Sequence, residues 1–311
     1  MKNKILKVIG NILVIVAVIF VFRKLLSYDI DYSTIFTLKN LVIITIMTIL
    51  YGINVYLCSF PWFNLATAIT NTQLCFSEVA VIFTKSGLLK YIPGNILQYV
   101  GRNELALQYD LNHAKVALST FLDVVCNLCA IAAIIICFSQ KDIVRIINLY
   151  HINIKVVFAA AAIGIFFAII VSLYIYNKNS LHKVTKAISK AFILDILFYV
   201  ITNLFASALF IIIMKVIANE SSFSYGTVIG AFLLSWVVGF IVPGAPGGIG
   251  IREAIITFLL SKSVQQESVV ISIIIYRFIT TIGDLVGFII AILFKKQSSL
   301  CKNIIRIKRR S

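Results

Sequence analysis

Apolar residues run along this chain in long blocks, several of them longer than the ~18 residues that mark a membrane span. Read by this pattern, full spans are expected at about 5–22, 40–60, 115–138, 155–176, 191–217 and 267–294, the second closing at Pro61-Trp62. Two further apolar regions, about 77–110 and 224–262, are interrupted by Pro-Gly. The first contains Lys90-Tyr91-Ile92-Pro93-Gly94-Asn95, followed by Arg102 and Glu104. The second contains Val242-Pro243-Gly244-Ala245-Pro246-Gly247-Gly248-Ile249-Gly250-Ile251-Arg252-Glu253. A helix broken at bilayer depth frees backbone groups that lipid cannot satisfy, so such breaks persist only inside protein or beside a water-filled cavity. One break in each half of the chain, each followed by an Arg and a Glu, is the pattern of a transporter's substrate site.

Composition agrees with the blocks. Of the 311 residues, 60% are hydrophobic and only 13% charged, whereas a soluble domain carries about 25% charged residues. The reading is an all-α polytopic membrane protein, one integral domain over 1–311, with about six full spans and two re-entrant helical hairpins. The polar stretches are short, a linker near 177–190 and a tail at 295–311.

The net charge of +16 changes the picture through its placement. Lys2, Lys4 and Lys7, then Lys178, Lys183, Lys186 and Lys190, then seven basic residues between Lys295 and Arg310 form three flanking clusters. This reads as positive-inside topology and attraction to anionic headgroups, with no aromatic-interleaved surface for nucleic acid. Both termini and the linker are then cytoplasmic, in the inner membrane of a bacterium or archaeon. Arg23-Lys24 follows the first block in place of a small-residue cleavage site, so that block is expected to be a retained span.

With six spans, the three basic clusters share one side only if each broken region enters and leaves on the same side, from opposite faces. The two halves, set at 1–176 and 191–294, have opposite orientation, and the order span, span, hairpin, span recurs along the chain. Val116-Ala117-Leu118-Ser119 and Val269-Val270-Ile271-Ser272, one after each break, share a loose pattern.

The candidate chemistry gathers at the breaks. Pro93 and Gly94 mark one hairpin tip, and Pro243, Gly244, Pro246, Gly247, Gly248 and Gly250 the other. A helix starting near Ile251 would direct its N-terminal N–H groups into the cavity, where a phosphate is favoured. Arg252 in its first turn can fork two hydrogen bonds to that phosphate, or pair with a nearby acid. Lys90 and Lys85 have the alternative of snorkelling to the interface. Arg102 lies in a polar run with Glu104 and is expected to face a cavity. Deeper in the spans, Asp123, Arg277 and Asp284 require partners; Arg277 is expected to pair with Asp123 or with Glu253. Asp195 lies near a span end and reads as an interfacial residue.

Enzyme signatures are poor. His113, His151 and His182 are scattered, and no metal-ligand spacing, nucleotide loop or nucleophile elbow is present. No cofactor or metal is expected. Cys126-Asn127-Leu128-Cys129 stands alone in mid-span and reads as buried thiols.

On Lys90-Tyr91-Ile92-Pro93-Gly94 and especially Pro246-Gly247-Gly248-Ile249-Gly250-Ile251-Arg252-Glu253, the chain resembles the membrane region of the lysylphosphatidylglycerol synthase/flippase family and its stand-alone relatives. In two-domain members the membrane part is understood to move aminoacylated phosphatidylglycerol between leaflets, while a soluble domain attaches the amino acid. This chain ends soon after its last span, so the synthase activity is not expected to carry over. Stand-alone relatives also accompany surface-polysaccharide assembly.

The leading expectation is a lipid translocator. An anionic phospholipid, aminoacyl phospholipid or polyprenyl-phosphate glycolipid would place its headgroup between the hairpins, against Arg102 and Arg252. Two alternatives stand beside it. One is a membrane transferase acting on a lipid-linked donor or phosphatidylglycerol, with Glu104, Glu253 or Asp123 as base. The other is a non-catalytic component of a complex with a lipid-modifying or polysaccharide-assembly enzyme.

Overall fold

The computed structural model describes residues 37–91, 97–109, 111–138, 182–241, 248, 250–261 and 263–297. The expected spans at 5–22 and 155–176, the carboxyl tail from 298, and the tips at Pro93, Gly94, Pro243, Gly244, Pro246 and Gly247 lie outside them. Among the described residues the protein is entirely helical. Nine α-helices follow one another: α1 (Leu38–Leu57), α2 (Ser59–Thr70), α3 (Phe76–Gly87), α4 (Leu97–Ala106), α5 (His113–Phe138), α6 (His182–Val216), α7 (Tyr225–Ile241), α8 (Ile251–Leu260) and α9 (Gln266–Gln297). A 3₁₀ turn at Leu88–Tyr91 extends α3.

Among the described residues, four stretches are long and apolar enough to cross a membrane: Leu38–Thr70, His113–Phe138, Lys190–Val216 and Gln266–Lys296. The chain is a membrane protein. The first stretch corrects the expectation that the span closes at Pro61-Trp62. Pro61 is the third residue of α2, in its first turn, where the N–H that proline lacks would have had no intrahelical acceptor. The helix therefore restarts after Cys58 and continues to Asn71, which caps it in the left-handed conformation. At the other boundary, α6 begins at His182, so more than half of the basic linker at 177–190 is already helical.

The two interrupted regions fold as pairs of short helices, α3 packed on α4 and α7 on α8. At 1.5 Å per residue, helices of 12, 10, 17 and 10 residues reach roughly 15–26 Å, short of the ~30 Å hydrocarbon core. Each pair is followed by a long helix, α5 or α9. Val116 and Val269 are both the fourth residue of those helices, Ser119 and Ser272 both the seventh, and all four are fully buried.

Helix α9 is the central post. It packs most extensively on α1, where glycines let the backbones approach, as small residues do between membrane helices. A Cβ on Gly52 would lie 2.6 Å from Val286 Cγ1, one on Gly283 2.6 Å from Tyr51 Cδ1, and one on Gly287 2.8 Å from the Gly52 carbonyl. Two apolar clusters matter most for the site. One joins α2, α3, α4 and the start of α5 around Trp62, Ile82 and Val116. The other joins α5, α6, α7, α8 and α9 around Phe210, Leu233, Leu260 and Ile273. A cavity with charged and apolar lining opens between them.

Candidate functional site

The cavity has a volume of about 270 Å³. All the α-helices except α2 contribute to its wall. It takes apolar lining from Phe83 on one side and from Phe210, Phe232 and Ile256 on the other. Four cations, Lys90, Arg102, Arg252 and Arg277, face two carboxylates, Asp123 and Asp284. Six of the eight charged residues expected at a site thus meet around one space.

Glu104 does not join them. It is exposed because it lies two residues from Arg102 on α4, about 200° around the helix, and burying one exposes the other. Arg102 is only 4% exposed. Its Nη1 donates to Asp123 Oδ2 at 3.0 Å, and its guanidinium lies over the rings of Phe83, Trp62 and Tyr99, 4.3, 5.0 and 5.9 Å from their centroids. Asp123 accepts a second bond from Tyr199 Oη at 2.6 Å. The expected Asp123–Arg277 pairing is therefore replaced by Asp123–Arg102.

Arg277 takes the other expected partner, its Nε donating to Glu253 Oε1 at 2.7 Å. Its Nη2 also donates to the Gly248 carbonyl at 3.1 Å. The second oxygen of Glu253 accepts the Gly250 N–H at 2.5 Å and so caps α8. This local fold needs glycine: Gly248 and Gly250 have φ of 72° and 88°, a region that side chains disfavour. Two turns along α9, Asp284 holds the first break, with Lys90 Nζ at 2.6 Å and the Tyr91 hydroxyl as donors. Lys90 thus does not simply snorkel to the interface.

Arg252 differs from these pairs. Its guanidinium lies 5.4 Å from the centroid of the Trp236 ring, Nε is buried without a hydrogen-bond partner, and no carboxylate pairs with it among the described residues. Its stem runs through a slot made by two glycines. A Cβ on Gly239 would sit 2.4 Å from Arg252 Cγ, and one on Gly248 2.6 Å from Arg252 Nε.

Reasoning from sequence passed over much of the remaining lining: Tyr51, Tyr91, Tyr99, Tyr199 and Tyr276, and the amides of Asn54, Gln98, Asn127 and Asn203. Asn203 bridges to Asn127 Oδ1 and to the Tyr199 carbonyl, both at 2.8 Å. A signal for these was present. Asp123 and Asn127 on α5, and Asp195, Tyr199 and Asn203 on α6, recur at the four-residue spacing that puts side chains on one helical face. Asp195, expected as an interfacial residue, is fully buried within the protein. Cys126 and Cys129 are free thiols, the first buried and the second partly so. No group of three or more His, Cys, Asp and Glu that could hold a metal occurs among the described residues.

Chemically, the four cations suit the site to an anion. Both oxygens of Asp123 and both of Glu253 already accept a donor, and Glu104 faces away from the cavity. The chain matches no known protein-family model, and no curated protein matches it.

Proposed function

We propose that the protein is a lipid translocator that takes the phosphate-bearing headgroup of an anionic lipid into the cavity while the acyl or prenyl tails stay in the bilayer. One observation carries this reading: Arg252 is a cation at an intramembrane cavity that no carboxylate holds in an ion pair among the described residues. A charge at that depth is costly and ordinarily paired; a phosphate fits the vacant role because it accepts two forked hydrogen bonds from one guanidinium. The N-terminus of α8, which begins at Ile251, adds a favourable dipole for the same anion.

Within this reading the chain has six spans, and α3–α4 and α7–α8 are re-entrant hairpins from opposite faces of the inner membrane, related by an inverted repeat. As described, α3, α4 and α8 have 10 to 12 residues each, fewer than a single crossing needs, and the buried Val and Ser pairs of α5 and α9 occupy matching positions. The resemblance to the lysylphosphatidylglycerol synthase/flippase membrane region agrees with this assignment. Cytoplasmic termini follow from the basic flanks, which would gather anionic lipid near the cavity.

The test is leaflet accessibility of headgroup-labelled lipids in proteoliposomes. The cargoes are an anionic phospholipid, an aminoacyl phospholipid and a polyprenyl-phosphate sugar, each with intact protein and with Arg252→Ala. Movement of at least one cargo that is lost in the variant is the expected result. Normal movement by a folded Arg252→Ala protein removes the phosphate role, and no movement of any cargo by intact protein removes the translocator reading.

A further inference from the structure

Asp195 is the buried acid that the cavity does not use. It lies on α6, fully buried. Its Oδ1 accepts one hydrogen bond, from Asn64 Nδ2 of α2 at 2.8 Å. Its Oδ2 is buried and has no hydrogen-bond partner, and no cation pairs with it among the described residues. From α5, Asp123 is the charged group that acts on it electrostatically, and Asp195 in turn acts on the Cys126 thiol. Among the described residues, α1, α7 and α9, which also pack on α6, contribute no charged group acting on it.

Asp123 and Asp195 thus lie on adjacent helices, and the guanidinium of Arg102 is committed to Asp123. An ionised Asp195 would be a second negative charge without a counter-charge, and isolated buried charges neutralise themselves instead. A metal ion would need several oxygen ligands where only one amide stands near; a proton needs none.

We propose that Asp195 is a proton-binding site that couples proton movement to the cavity. In the state described here the proton sits on Oδ2 and the side chain is a neutral acid. Release breaks that single O–H bond, leaves the electron pair on the carboxylate and passes the proton to water. One helical turn along α6, Tyr199 donates to Asp123, which lines the cavity and holds Arg102. A new charge at Asp195 repels that of Asp123 and disturbs the Asp123–Arg102 pair. The coupling to lipid movement rests on the translocator reading; the proton site itself does not.

Infrared spectroscopy of the full chain in liposomes tests the site, and an imposed pH gradient tests the coupling. The expected spectrum has the carbonyl stretch of a protonated carboxylic acid at neutral pH, absent in Asp195→Asn and retained in the control Glu104→Gln. In Asn64→Val, the band should shift to higher frequency as its hydrogen bond is lost. For translocation, one coupled proton biases the lipid distribution by up to about tenfold per pH unit, and Asp195→Asn should bring that ratio to one. A spectrum unchanged by both substitutions shows an ionised Asp195 and overturns the proposal. A lost band with lipid movement indifferent to the gradient in the intact protein overturns the coupling. A lost band with no lipid movement at all supports the proton site and counts against the translocator reading instead.

Discussion

In the first broken region the cation sits on the short helix and the acid on the long helix that follows: Arg102 of α4 reaches Asp123 of α5. In the second the signs are exchanged, and Glu253 of α8 reaches Arg277 of α9. The exchange decides what each half has left over. In the first, the short helix's own arginine is used up by the pair and enclosed by Trp62, Phe83 and Tyr99. In the second, the glutamate makes the pair and the cap, so the adjacent Arg252 keeps its charge for the cavity. Similar local sequences, an Arg and a Glu after a Pro-Gly break, thus give one region whose arginine is held in an ion pair and another whose arginine is not.

The sharpest way to break this contrast is at the holding side. Arg102→Ala leaves Asp123 buried without its cation, a loss of about 3–5 kcal/mol, read as a marked fall in unfolding temperature. Replacing both partners, Arg102→Met with Asp123→Leu, should recover most of it. Next in size is Arg252→Ala, which removes charged hydrogen bonds to the ligand worth about 1.5–3 kcal/mol. Lipid-phosphate binding or transport should fall roughly ten- to hundredfold by that arithmetic, while the unfolding temperature stays close to the intact protein's. Gly239→Ala sharpens the comparison, because it keeps the Arg252 charge but crowds its stem. A few-fold loss of transport is expected, and full activity would show that the position of the guanidinium is unimportant. The smallest effect belongs to Glu104→Gln: stability within about 0.5 kcal/mol and unchanged transport.

Much of this was legible in the sequence where a single physical rule governs the residue. Apolar block length located α1, α5, α6 and α9 to within a few residues at most ends, and the glycines before Ile251 marked the start of α8. Arg277 and Asp284, seven residues apart, share a face of α9 as the helical repeat requires. Partner choice was less legible, because it depends on packing between distant segments. Asp123 takes Arg102 instead of Arg277 because α4 lies against α5. Glu104 was misplaced because motif spacing was read without the helix's angular step. Asp195, near the end of an apolar block, gives no sign in one dimension that Asn64 of α2 covers it.

The glycine hollows between α1 and α9 carry a kinetic consequence. Val286 seated against Gly52, and Tyr51 against Gly283, lock the two helices into one body. That body holds one clamp for each broken region, Lys90–Asp284 for the first and Arg277–Glu253 for the second. If the breaks move during a transport cycle, the locked pair cannot bend to follow them, so a clamp must open. The turnover rate would then be set by rupture of an ion pair and not by diffusion of the lipid. Weakening Lys90–Asp284 should speed the cycle at the same time as it loosens the fold.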